Sequence, residues 1–242
     1  MKLSKIFSLM FLVILISYST AKAQNELPAW LDPNYGGFGG APFWAIYYSP
    51  SLKELNDDLK NSLQLSEIKR LTMGGGTLRW TFYEYLQLGY IGSWFYGESS
   101  GFSDQNKKCK SALLSGGFHT LNAFYKVPKG KFNYAIGAGV GWYGVDYEKL
   151  IEPLWKEVRE VSEDSEDKTN YTKSAFVSGD TIGYQIILEG SYKLARWIDI
   201  GTSIFYLQAK IDNLKQAGKV AEGAPKIDLS GVIVSIGPRI NF

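Results

Sequence analysis

The sequence has very little cysteine and histidine. Cys109 and His119 are the only residues of their types among the 242 residues of the chain. A lone cysteine cannot form a disulfide within the chain, and one histidine cannot supply the three or more ligands that a metal site usually needs. The sequence therefore predicts a fold stabilised by backbone pairing and packing, with no bound metal or other cofactor.

Long hydrophobic runs are also absent, except at the start of the sequence. At the start, basic residues precede an apolar stretch from Ile6 to about Ile16, and Ala21-Lys22-Ala23 follows as a small-x-small cleavage site. The stretch is shorter than the roughly 20 residues of a membrane-spanning helix. We expect a signal peptide over 1–23, cleaved near Ala23, and a mature domain over 24–242. An uncleaved membrane anchor is the alternative.

An excess of charge of one sign is missing as well. Cleavage would remove Lys2, Lys5 and Lys22 from the 26 basic residues and leave 23 against 24 acidic ones, a net charge of −1. This balance argues against the basic surface that nucleic-acid binding requires. We therefore expect no nucleic-acid partner.

What the sequence has in plenty is alternation. Apolar residues alternate with small or polar ones in about eight segments that are separated by turn signals. The segments are 38–50, 71–82, 85–97, 111–126, 131–147, 174–194, 197–211 and 226–242. In the last segment, Val232, Val234 and Ile236 share one face, whereas Ser235 and Arg239 share the other. Only segment 111–126 is ambiguous, because large apolar residues fall on both of its faces.

The two faces distinguish a membrane barrel from a soluble one. A lipocalin-like barrel should carry Lys and Glu on its outer face, because that face meets water. Here the second face is mostly Gly, Ser, Thr, Asn and Gln, which suits a narrow polar lumen, and the apolar face carries Trp and Tyr near the segment ends. We predict an all-β fold: an antiparallel up-and-down transmembrane β-barrel of about eight strands.

The connections between the segments alternate in length. The tight ones lie near 82–85, 127–130 and 195–196, and the long ones span 51–70, 98–110, 148–173 and 212–225. Outer-membrane barrels have short periplasmic turns and long external loops, so an even strand count agrees with this alternation. Apolar residues at helical spacing predict short helices in the first and third long loops. They are Leu52, Leu55, Leu59 and Leu63 in the first, and Leu150, Leu154, Val158 and Val161 in the third.

Five charged residues fall on the polar face close to the tight turns or the C-terminus. They are Arg79, Glu189, Lys193, Asp199 and Arg239. On a barrel they would converge in the lower lumen. One interpretation is a salt-bridged network that fills and rigidifies the interior. The other is a gate or selectivity ring for small solutes.

The mature chain resembles the small, roughly eight-stranded outer-membrane β-barrel proteins that include OmpA-type membrane domains and porin-like proteins. The resemblance is most specific at the end, where an alternating strand from Val232 closes on Phe242. It implies an outer-membrane location and recognition of Phe242 by the barrel assembly machinery. Pro238 departs from the pattern, because proline removes a ladder donor, and it is expected to mark a bulge near the periplasmic rim.

Three other features could carry chemistry. The string 139–144 matches GxGxxG but lies within an alternating strand instead of at a strand-to-helix turn, so it does not predict a nucleotide site. His119-Thr120-Leu121 lacks the His-x-Ser pattern of outer-membrane lipid hydrolases, so an ordinary wall position is expected for His119. The third loop carries acidic residues with no regular calcium-binding spacing, and they are either a solvated run or a cation bridge to lipopolysaccharide. They are Glu157, Glu160, Glu163, Asp164, Glu166 and Asp167.

These patterns predict a non-enzymatic outer-membrane barrel with a narrow polar lumen, in contact with outer-membrane lipid and lipopolysaccharide. It would act as a structural or surface-interaction protein or as a small-solute channel. An outer-membrane lipid-modifying enzyme and a soluble periplasmic ligand-binding barrel are the alternatives. The sequence leaves the solute and the oligomeric state open.

Overall fold

The computed structural model describes residues 36–82, 86–103, 108–153, 173–195 and 197–241. The predicted signal peptide, Phe242 and the acidic residues of the third loop lie outside these ranges. No helix among the described residues is long and apolar enough to cross a membrane.

Eight long strands form one closed antiparallel barrel. The strands are β1 (Gly36–Pro50), β2 (Thr72–Phe82), β3 (Leu86–Ser103), β4 (Lys108–Lys129), β5 (Phe132–Pro153), β6 (Lys173–Lys193), β7 (Ile198–Gln208) and β8 (Gly231–Asn241). Each strand pairs with its neighbours in sequence, and β8 pairs with β1 to close the ring. The predicted fold class and the strand count are therefore confirmed.

Two details of the predicted loops are wrong. The ladder between β3 and β4 continues from Glu98↔Leu113 to Ser103↔Lys108, so most of the expected loop 98–110 is strand. Leu150 lies in β5, where it pairs with Ser111, and the predicted helix of the third loop does not begin there. The other members of that helical pattern lie outside the described residues. Continued backbone pairing satisfies peptide groups that a loop would leave to water, which favours the longer ladders.

The barrel wall is taller on one side than on the other. Strands β3 to β6 have 18, 22, 22 and 21 residues, whereas β7, β8, β1 and β2 have 11, 11, 15 and 11. The loops 51–71 and 209–230 connect strands of the short side, and they fold against the inner face of the tall wall. A Cβ atom at Gly97 would lie 2.5 Å from the Leu71 side chain and 2.8 Å from that of Ile68, so glycine is what permits this close approach.

Loop 51–71 caps the upper end of the barrel, the end opposite the short turns. It contains helix α1 (Lys53–Asp58), which continues as a π-helical turn over Leu59–Leu63. This confirms the helix predicted from leucine spacing, and all four leucines of the pattern are buried. Asp58 attaches the cap to the tall wall, because it accepts a 3.0 Å hydrogen bond from the Tyr147 hydroxyl and forms a 2.6 Å ion pair with Lys149.

The outer face of the barrel is apolar and aromatic, as the alternation predicts. In the ambiguous strand β4, Leu121 and Tyr125 point outward while Phe118 and Phe124 are buried inside. The large exposed side chains include Trp44, Ile46, Trp80, Leu88, Trp94, Tyr134, Ile136, Val140, Trp142, Ile182, Ile186, Leu188, Trp197, Ile204 and Val232.

The seam between β1 and β8 is the irregular part of the wall. Its register holds from Gly39↔Asn241 and Gly40↔Ile240 and resumes unchanged at Trp44↔Ile236, with no paired residues between. This places Pro42 opposite Pro238, and neither proline has an N–H to donate. The expected bulge at Pro238 is wrong, since the β7–β8 register runs unbroken through it. The bulge lies on β1, between Ala45 and Tyr47.

Candidate functional site in the barrel interior

The lower half of the barrel interior contains the charged cluster that the sequence predicts. Alternation turns Arg79 of β2, Glu189 of β6 and Arg239 of β8 to the inner face. Both guanidinium nitrogens Nη1 and Nη2 of Arg79 donate to the Glu189 carboxylate, so this pair is bidentate. Arg239 Nη1 lies 3.3 Å from the same carboxylate. Glu189 is thus held between two arginines and is only 6% exposed.

Neutral groups complete the surroundings of Glu189. The Ser203 hydroxyl donates to Glu189 Oε1 at 3.1 Å and accepts from Arg239 Nη2 at 3.1 Å. The Arg79 guanidinium lies over the Phe124 ring, 4.5 Å from its centroid, which is cation–π geometry. The carboxylate therefore has charged and neutral partners on several strands, and these strands are fixed relative to one another.

Asp199 forms a second anionic point in the lower half. Its Oδ2 accepts weak hydrogen bonds from Ser191 Oγ at 3.3 Å and Asn133 Nδ2 at 3.4 Å. Its Oδ1 is buried and has no hydrogen-bond partner among the described residues, and the same holds for Arg79 Nε. Lys193 pairs in register with Asp199 but is exposed at the end of β6, and it forms no ion pair within the described part of the chain. Four of the five predicted residues thus face the interior together, and Lys193 stays at its rim.

Lys126 of β4 belongs to this region, although the sequence did not single it out. It is half-buried and lies close enough to Asp199, Arg239 and Arg79 to interact electrostatically with each. The interior then holds three cations, Arg79, Arg239 and Lys126, around two anions. Lys126 is two residues from Phe124 and therefore shares its inward face. The sequence could not identify that face as the inner one, because large apolar residues fall on both faces of this segment.

A layer of amides and hydroxyls lies above the charges. Gln185 Nε2 donates to Thr120 Oγ1 and to Asn122 Oδ1, both at 2.8 Å, and Asn122 Nδ2 donates to Thr120 Oγ1 at 2.9 Å. All three residues are buried. This layer and the charges below it make the lower half of the interior polar.

The upper half of the interior is apolar, so the prediction of a polar lumen is wrong there. Large buried side chains fill the space up to the cap, and the rings of Phe118 and Tyr143 pack at 5.0 Å between centroids. The buried set includes Tyr48, Met73, Ile91, Phe95, Leu114, Phe118, Tyr143, Tyr147, Phe205, Leu207 and Ile233. Buried leucines of the cap join the same cluster. The physical reason is that a narrow barrel must fill its interior with side chains, and here aromatics fill it.

The remaining sequence features lie in the wall. Residues 139–144 are part of β5, within its continuous ladders to β4 and β6. His119 points outward from β4, and Tyr90 is its hydrogen-bond partner, with 2.5 Å between the Tyr90 hydroxyl oxygen and His119 Nδ1. Among the described residues, no group of three or more His, Cys, Asp and Glu side chains could hold a metal ion.

Comparison with known proteins gives likeness in fold only. No family model matches the chain, and no curated protein matches it. Among solved structures, the outer membrane protein OprG from Pseudomonas aeruginosa superposes with a TM-score of 0.45 at 14% identity, over 86% of this chain and 97% of that one. Outer membrane protein AlkL gives 0.41 at 13% identity, over 90% and 95%. Outer Membrane Protein W of E. coli gives 0.39 at 11% identity, over 87% and 100%. What the strand pairing establishes independently of these likenesses is a closed antiparallel barrel of eight strands.

Proposed function

We propose that this chain is an integral outer-membrane protein whose barrel is closed to solutes and serves a structural or surface-interaction role. The observation that carries the proposal is an apolar outer wall around a filled interior. Exposing so many apolar side chains to water would cost free energy, whereas contact with the hydrocarbon of a membrane would not.

The dimensions of the apolar wall support a membrane. On β3 the outward apolar residues run from Leu86 to Tyr96, and on β5 from Phe132 to Trp142. Both stretches match the roughly 9–11 residues that a tilted strand needs to cross a bilayer. Aromatic residues stand at both ends of the β5 stretch, at Phe132 and Trp142, and at the upper end of the β3 stretch, at Trp94 and Tyr96, where interfacial girdles form. Above them the outward positions become polar, as at Glu98 and Asp146, so the tall wall would project beyond the membrane.

The interior supports a closed barrel over an open channel. The charges below, the amide layer in the middle and the aromatic cluster under the cap leave the lumen occupied along its length. Export on the signal peptide, recognition of Phe242 by the assembly machinery and contact with lipopolysaccharide belong to the same proposal.

Cell fractionation tests the location. The protein should stay with the outer membrane and should migrate faster on a gel before heating than after it. Recovery in the soluble periplasmic fraction would contradict the membrane assignment and favour the ligand-binding alternative.

Planar-bilayer conductance tests closure. We expect no steady current from the wild type or from Glu189→Ala, because the upper half stays filled when the charges are disturbed. Current that appears only in Glu189→Ala would make the charged cluster a gate and would support the small-solute channel instead.

A further inference from the structure

In the described part of the outer wall, a concave groove runs across β2 and β3, and the barrel architecture does not require it. One row of the ladder crosses it, with Pro42, Gly76, Gly92 and His119 as successive partners on β1 to β4. The groove encloses about 420 Å³, and Trp44 and Trp94 are among the residues that line it. On either side of it, large apolar side chains cover the wall.

Two adjacent outward positions without side chains form the floor of this groove. A Cβ atom at Gly76 would meet nothing closer than the Ala41 carbonyl oxygen at 3.8 Å, and one at Gly92 would make contacts no shorter than 3.5 Å. Neither glycine has a positive φ. Backbone conformation and local packing therefore do not demand glycine at these two positions, and a groove about 10 Å wide, two strand spacings, is left open.

The groove has one hydrogen-bonding group, His119 Nε2, that the described part of the protein does not satisfy. His119 Nδ1 is engaged with the Tyr90 hydroxyl, and the two rings stack with centroids 5.9 Å apart. His119 Nε2 has no partner among the described residues. Polar groups on a face that meets hydrocarbon are costly unless something pairs with them.

The height of His119 indicates what would pair with it. His119 is opposite Trp142, which marks the upper end of the apolar stretch on β5. Under the membrane location proposed above, this is the level at which the ester and hydroxyl oxygens of a lipid meet its acyl chains. We propose that the groove binds one membrane lipid, with an acyl chain along Gly76 and Gly92 and a lipid oxygen hydrogen-bonded to His119 Nε2.

A lipid fits the groove better than a second copy of this chain. The other faces of the barrel present bulky Leu, Ile and Trp side chains on a convex wall, which cannot enter a groove two strands wide. Leucine, isoleucine and tryptophan bring no oxygen to His119 Nε2, and a second copy that reached it with an outward tyrosine would give the dimer tested below. An acyl chain with an ester or hydroxyl oxygen supplies both the shape and the hydrogen bond.

Native mass spectrometry of the full barrel tests this assignment. The protein is released from micelles that contain dimyristoyl phosphatidylethanolamine, and the retained lipid is counted. Gly76→Leu fills the groove, His119→Phe removes the hydrogen bond and His119→Gln keeps a donor. Ala138→Leu places the same side chain at an outward position of β5 far from the groove and is the matched control. Gly92→Val is a second filling variant in case Gly76→Leu does not fold.

We expect the wild type, His119→Gln and Ala138→Leu to retain one lipid. In Gly76→Leu, Gly92→Val and His119→Phe, the fraction of protein that retains a lipid should be about fivefold lower. This is roughly the effect of losing one hydrogen bond, or the acyl-chain contacts that the added side chain displaces. Equal retention by all variants would overturn the proposal, and so would a dimer that Gly76→Leu abolishes. Gel mobility before and after heating reports the barrel separately, so loss of the lipid in a folded, membrane-bound barrel is distinct from failure of the membrane assignment.

Discussion

The lower half of the barrel interior is filled by paired charges, and the upper half is filled by aromatic and aliphatic side chains. Below, Glu189 is held between Arg79 and Arg239, and its burial is tolerated only because these partners are present. Above, buried leucines of the cap pack on apolar residues of the tall wall. The two halves should therefore differ in their sensitivity to substitution: the lower half depends on complete pairing, and the upper half depends on volume.

Glu189→Ala should have the largest effect, because it leaves two buried guanidinium groups without their carboxylate. We expect a loss of about 3–5 kcal/mol in the free energy of unfolding, measured by urea unfolding in lipid vesicles. Glu98→Ala, at an exposed position of β3, is the control and should change stability by less than about 0.5 kcal/mol. Equal effects of the two variants would remove the distinction between a buried network and surface charge.

Leu55→Ala should have the next largest effect and should act locally. It empties a fully buried position of the cap, and we expect a cost of about 2–4 kcal/mol. Hydrogen exchange should show the loss in loop 51–71, while the barrel ladders stay protected. Glu54→Ala, on the exposed side of the same helix, should leave exchange unchanged. Loss of protection throughout the ladders would show that the cap and the barrel unfold as one unit.

Gln185→Leu tests the boundary between the halves. It extends the apolar packing downward by one layer but leaves Thr120 and Asn122 without the amide that they accept from. The expected destabilisation is about 1–2 kcal/mol, from partners left unsatisfied. The additional variants Thr120→Val and Asn122→Leu should recover most of it. If they add to the loss instead, the amide layer has a role beyond mutual hydrogen bonding.

Replacing Glu189 together with its three hydrogen-bonding and ion-pair partners should have the smallest effect. The combined variant Arg79→Met, Glu189→Leu, Ser203→Ala and Arg239→Met removes this network and leaves Asp199 and Lys126 as the remaining charges of the lower half. Buried ion pairs exchanged for apolar groups of similar volume are often neutral in stability, so we expect a loss no greater than about 1 kcal/mol. Arg79→Met alone is the control and should be more destabilising than the combined variant. A larger loss in the combined variant would show that the charges stabilise the barrel beyond filling it.

The outer face and the strand order could be predicted from the sequence, because lipid-facing positions repeat with a strict period of two. The cluster of Arg79, Glu189 and Arg239 could be predicted from the same period, because inward side chains at one level of a narrow barrel lie close together. Alternation carries this information wherever the two faces differ in polarity.

The upper interior could not be predicted, because there both faces of the wall are apolar. On β4, Phe118 lies inside while Leu121 and Tyr125 lie outside, and Phe124, lower in the barrel, is a further apolar residue on the inner face. The two faces of this strand therefore do not differ in polarity, and alternation cannot tell them apart. Lys126 was missed for the same reason. The continuation of β3 and β4 past Glu98 could not be predicted either, because the residues at these strand ends are polar and typical of loops. Only the structure shows that they pair with each other in the tall wall.

The opposed prolines of the β1–β8 seam bear on how the ring comes apart. This seam joins strands that are nearly the whole chain apart in sequence, so closing it costs more chain entropy than any hairpin of the barrel. It is also the junction with an interrupted ladder and a bulge. Under mechanical pulling on the C-terminus, β8 should therefore detach first from β1, and the remaining strands should peel away in reverse sequence order, one hairpin at a time.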